Sequence, residues 1–151
     1  MAADLAGLVK AGLIGELEGL AKAIRELAAP LSEKEFWARP IDPGNSIGHL
    51  VLHLCGNLCH FVGAQLGGTG YVRDREREFT ETSPPSKEGA LTLLEGAVAV
   101  FRRVVEGLDS KRLADPHPES RFGTVLETLI HLVAHFALHR GQMSYLARLV
   151  K

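Results

Sequence analysis

Residues 131–142, HLVAHFALHRGQ, carry three histidines at four-residue intervals in a stretch otherwise apolar enough to be core. An imidazole changes charge near neutral pH and offers a lone-pair nitrogen, so it can ligate a divalent metal, relay a proton or make a buried hydrogen bond. At about 100° per residue on a helix, His131, His135 and His139 fall within an arc of about 80°, and Thr128 and Gln142 share that arc. One helix face therefore carries the polar set. A second stretch, IGHLVLHLCGNLCHFVGAQL (47–66), repeats the pattern. Relative to His53, His49 lies near about −40°, His60 near about −20° and Asn57 near about +40° by the same rotation.

Six of the seven histidines thus lie on two polar stripes in otherwise apolar segments, and His117 falls in a loop. A buried imidazole without a partner costs about 1–3 kcal/mol, so the stripes must meet each other, water or a metal. His135 and His139, as HxxxH, can hold one ion from adjacent turns, and one histidine of the earlier stretch would complete three nitrogen ligands. Three ligands leave a position for water or substrate, as catalytic sites do. A metal-free, hydrogen-bonded polar core satisfies the same pattern, and the residues alone leave both arrangements open. The HExxH pattern is missing, because Phe136 stands where its glutamate would be, and neither helix carries the Glu-x-x-His pair of di-iron bundles.

The elements that must position these residues read as helices. Apolar residues from Leu5 to Leu27 recur at three- and four-residue steps, predicting an amphipathic helix over about 4–29 that Pro30 ends. Ser32 with Glu35 forms a capping box for a short helix through Trp37, and ARPIDPGNS is a loop. The second long helix starts at Asn45 or Ser46 and runs to Gly67 and Gly68; almost nothing in it is charged, so it must be buried on most of its circumference. From Thr69 to Pro85 the chain is polar, with RDRERE and TETSPP. A connection this long either is a solvated loop, crosses the fold or covers something. A third helix runs from Ser86 to about Leu108, and a fourth opens with the capping box Thr124 and Glu127 and continues to the end of the sequence. With no repeats and no convincing strands, the fold class is all-α, an antiparallel four-helix bundle occupying 1–151 as one domain, with a long connection between its second and third helices.

Totals narrow the functional classes. At 151 residues the chain can bury a core without disulfides or a structural metal, and 46% apolar with 23% charged residues is ordinary globular composition. The formal net charge of −1 provides no field for a polyanion, so nucleic acid is not an expected partner. No segment reads as a signal peptide or membrane span, so no membrane partner and a cytoplasmic location are expected. Cys55 and Cys59 project away from the histidine stripe and lie beyond disulfide reach on one helix, so they are expected to be small buried hydrophobes.

The blocks NSIGHLVLHLCGN (45–57) and HLVAHFALHRGQM (131–143), with LSEKEFWARP (31–40) before them, resemble the DinB/YfiT-like superfamily over most of the chain in matching order. The resemblance implies a four-helix bundle with a three-histidine metal site formed by His53, His135 and His139. His49 and His131 then fall behind the ligands. It also implies a homodimer and, for members of known activity, thiol-dependent transfer or isomerisation. The expected function is a divalent-metal-dependent enzyme of the thiol-dependent S-transferase type acting on a small-molecule substrate, with Asn57, Gln142 and His131 orienting ligands or substrate. Its cofactors would be one divalent ion (Zn, Ni, Fe or Mn) and a low-molecular-weight thiol. A metal-dependent hydrolase, lacking an obvious carboxylate base, and a non-catalytic metal-binding or stress-related interaction protein are the competing expectations.

Overall fold

Each long helix begins where a short polar side chain can accept from an otherwise unpaired backbone N–H. The computed structural model describes residues 4–151. Helix α1 (Leu5–Ala28) starts at Asp4, whose carboxylate accepts from Gly7 N at 3.0 Å, and α2 (Glu33–Trp37) opens on the Ser32–Glu35 capping box. Helix α3 (Ile47–Leu58) is capped by Ser46, α4 (Arg77–Thr80) is a single turn, and α5 (Lys87–Gly107) is capped by Ser86. Helix α6 (Val125–Leu149) opens on the Thr124–Glu127 capping box. No strand occurs among the described residues; Pro116 and Thr124 form an isolated bridge in the connection before α6. The fold class is all-α, as the periodicity predicts.

The four long helices pair in a closed ring: α3 packs on α5 and α6, and α1 packs on the same two from the other side. Leu17 and Ile24 of α1, Leu54 and Leu58 of α3, Leu94 and Phe101 of α5, and Leu129, Leu132 and Phe136 of α6 fill the space between them, all 2% exposed or less. Each such side chain contributes about 1.5–3 kcal/mol by leaving water. The histidine stripe of α6 runs beside its core stripe, one residue round from Leu132 and Phe136, at the seam with α3. Residues 47–64 are apolar and long enough to cross a membrane, but 72% of them are buried, which is what an interior helix of this fold requires.

Two departures from the predicted elements matter for the site. The second long helix is not α-helical throughout: after Leu58 it continues to Ala64 as a π-helix, whose wider i→i+5 turns break the 100° registry. His60 therefore leaves the stripe of His53 and lies 3.7 Å from Glu119. The polar connection 69–85 is not merely solvated. It carries α4 against α3, and Glu78 within it is buried.

Gly48 sits where the Trp37 ring crosses α3, and a Cβ there would overlap that ring. Gly48→Ala is expected to destabilise the fold by about 1–3 kcal/mol, the usual cost of overpacking. The urea unfolding midpoint checks this, and an unchanged midpoint would show that Trp37 repacks freely.

Candidate metal centre

His53 reaches the α3–α6 seam from α3, and His135 and His139 meet it from successive turns of α6. Their Nε2 atoms converge: His135 Nε2 lies 3.2 Å from His53 Nε2 and 2.9 Å from His139 Nε2, and all three ligand atoms lie within 4.8 Å of one another. The rings stand edge to face, with His53 and His139 centroids 5.0 Å apart and His135 and His139 centroids 4.3 Å apart.

The outer nitrogens set the tautomers of two of the rings. His53 Nδ1 lies 2.9 Å from Glu78 Oε2, and a carboxylate can only accept there, so the ring proton sits on Nδ1 and the lone pair on Nε2. His139 Nδ1 is 2.7 Å from Gln142 Oε1, which fixes the same tautomer. Between them, His135 Nε2 can carry one proton, enough for a hydrogen bond to only one of its two neighbours. The other contact sets lone pair against lone pair, with the Asn57 amide, 3.1 Å from His53 Nε2, as the one further donor. His135 Nδ1 is itself buried without a hydrogen-bond partner.

A divalent cation would resolve this arrangement. Tetrahedral coordination at the usual Zn–N distance would set nitrogens roughly 3.3 Å apart, close to the separations observed. The donor set is three imidazoles, and among the described residues no carboxylate or thiol joins the group. The three histidines can thus hold a metal ion.

Glu78 is the residue the sequence reading missed. It comes from the connection 69–85 and orients His53 as a carboxylate behind a ligating histidine does. Arg73 of the same segment grips it through a fork, Nε to Oε1 at 2.7 Å and Nη2 to Oε2 at 2.9 Å. Burial alone would push the Glu78 carboxyl up, but the hydrogen bonds from His53 and Arg73 and the charge of Arg73 outweigh it and hold the pKa below 4.5. Gly56, one turn from His53, has no side chain because a Cβ would occupy the place of the Glu78 carboxylate. The only signal in the sequence was the length and polarity of the connection.

The remaining predicted residues divide. A cavity of about 590 Å³ is walled by His53, His135, Asn57 and His131, together with Phe61, Phe122 and three arginines. Asn57 donates its amide to the His53 carbonyl at 3.0 Å and lies 3.1 Å from His53 Nε2. His131 is exposed, packed between Phe122 and His135 at 4.9 and 6.2 Å. Gln142 holds His139 from outside this cavity. His49 makes no contact with the three imidazoles: its Nδ1 is 2.6 Å from Ser46 Oγ and its Nε2 3.0 Å from the Glu81 carbonyl. It anchors the covering segment instead. Cys55 and Cys59 are free thiols, half-buried rather than fully buried, and line a different surface depression with Tyr71 and Leu93.

An all-α chain with a three-histidine group able to hold a metal is the class these features define. The chain belongs to the DinB superfamily, whose sequence profile matches residues 16–143. A crystal structure of a conserved protein from Enterococcus faecalis shares the fold, with a TM-score of 0.76, 17% identity, and coverage of 99% of this chain and 98% of that one. No curated protein matches.

Desolvation lowers the pKa of His49, His135 and His139, and for His135 the neighbouring imidazoles add to it, carrying it down to about 3. Below the ordinary imidazole value of 6.5 the unfolded chain then binds more protons than the folded one, so stability is fully present above pH 6.5 and is lost as pH falls. The urea midpoint of metal-free protein is expected to drop between pH 6.5 and about 5, before the carboxylates titrate, and less steeply in His135→Ala. A flat midpoint over that interval would contradict the burial of neutral imidazoles. Glu78→Gln, which keeps the shape but removes the charge behind His53, is expected to weaken Zn²⁺ binding about 10–100-fold in a chelator competition assay.

Proposed function

We propose that the protein binds one divalent ion through His53, His135 and His139 and uses it as an enzyme on a small molecule, in a reaction of the thiol-dependent S-transferase type. The observation that carries this reading is the convergence of three Nε2 atoms beside a cavity walled by two of the same rings. Three neutral ligands leave the ion's full positive charge in place, and a bound divalent ion supplies an electrophilic centre that favours the anionic form of a thiol or water at neutral pH. Glu78 and Gln142 hold two rings with Nε2 inward. Asn57 and His131 present an amide and an imidazole to the cavity, where each can contact a substrate.

Neither cysteine of the chain is placed to act as the nucleophile. Burial pushes the thiols of Cys55 and Cys59 up in pKa, and both face a separate depression, so neither can attack a molecule in the cavity. In the reading proposed here the thiol comes from a cosubstrate rather than from a protein cysteine. Hydrolysis has weaker support because Glu78, the carboxylate behind the site, is engaged by His53 and Arg73 and does not line the cavity. A purely structural metal role is disfavoured by the absence of a fourth ligand among the described residues.

Elemental analysis of untagged protein prepared without a metal column is expected to find, or to allow reconstitution of, about one divalent ion per chain. His53→Ala and His135→Ala should each abolish it while leaving helical circular dichroism intact. No uptake of Zn²⁺, Ni²⁺ or Mn²⁺ by the native chain would turn the cluster into a polar core. Stoichiometric metal together with no reaction between low-molecular-weight thiols and electrophiles would remove the transferase assignment alone.

A further inference from the structure

The cavity beside the imidazoles has three guanidinium groups on its wall and no carboxylate. Arg73 is neutralised by its fork to Glu78. Arg75 and Arg121 make no ion pair and no side-chain hydrogen bond among the described residues. Each lies over an aromatic ring instead: Arg75 Cζ is 5.5 Å from the Phe79 centroid, and Arg121 Cζ is 4.7 Å from Phe122 and 5.7 Å from Phe61. Those rings rest on the histidines, Phe79 at 4.7 Å from His53 and Phe122 at 4.9 Å from His131. Glu119 feels the charge of Arg121, but its carboxylate accepts from Gln65 Nε2 at 3.1 Å and lies 3.7 Å from His60 Nε2.

Stacking engages the face of a guanidinium and leaves its N–H edge available for a planar or tetrahedral oxyanion. It also restricts the side chain before a ligand arrives, so less freedom is lost on binding. A wall with two cations that make no ion pair, and with no acid, disfavours cationic ligands and rewards anionic ones.

We propose that Arg75 and Arg121 bind the oxyanion of the substrate or cosubstrate, a carboxylate or phosphate remote from the reacting centre, and so direct its other end toward His53 and His135. This rests on the reading of the cavity as a small-molecule site, and it assigns that molecule a chemical class.

The test is isothermal titration of the full chain, metal-stripped and then zinc-loaded, with glutarate and with methyl phosphate. Saturable binding of at least one probe by the metal-stripped chain is expected, weakened about tenfold by Arg75→Gln and by Arg121→Gln, the loss of one charge-assisted contact. Arg103→Gln, an exposed arginine of α5 outside the cavity wall, should leave it unchanged. The preferred probe separates carboxylate from phosphate recognition, and Arg121→Lys should restore only part of the affinity, since an ammonium lacks the fork. Equal binding by wild type and both glutamine variants, or no saturable binding in either metal state, would overturn the proposal. Arginine-dependent binding in a chain that takes up no zinc would leave the proposal standing and remove the metal reading; zinc uptake with arginine-independent binding would do the reverse.

Discussion

Three ring nitrogens that converge on one point with at most one proton shared among them are poor neighbours in a dry interior, and the local structure around the α3–α6 seam is arranged to keep them there. Each would be better served, one at a time, by a proton or a water. Glu78 and Gln142 hold the protons on the far side of two rings, and the orphaned Nδ1 of the third is sealed in. The electrostatic strain of that convergence is the strongest physical argument that a cation belongs among them.

Holding the convergence takes contributions from distant parts of the chain. The ring of helix pairings fixes α3 against α6, so that His53 meets His135 across 82 positions of sequence. The segment 69–85 then closes over α3. Arg39 donates to the Phe79 carbonyl, His49 bonds the Glu81 carbonyl, and these contacts deliver Glu78 to His53. A charged, loop-like stretch thus becomes part of the interior because its acid and its base arrive together, each offsetting the other's desolvation.

Much of this was legible in the sequence, for identifiable reasons. Helix starts at Ser32, Ser46, Ser86 and Thr124 follow from local chemistry, which needs no tertiary context. The two histidine stripes follow from the 3.6-residue period, and that period brings His135 and His139 to one side of α6. The period fails where the helix changes type: the π turns after Leu58 send His60 to Glu119, and no residue there announces the change. His49 lies within about 40° of His53 by rotation but sits one turn nearer the start of α3, where the covering segment, not α6, is its neighbour. Rotation about an axis could not reveal position along it. Glu78 was illegible because its partner, His53, is 25 positions away across an irregular connection, and Arg73 is placed only through Glu78.

Gly56 shows how a site can depend on a residue with no functional group. The carboxylate that steers His53 occupies the volume any larger residue at 56 would need. Substitutions elsewhere around the centre trade one contact for another, but at this position even a methyl group competes with the acid for the same space. A larger residue at Gly56 therefore displaces the acid rather than the helix, so a survey of tolerated variants would register this position through the orientation of His53, and a hydrogen atom would be read as part of the surroundings of an imidazole.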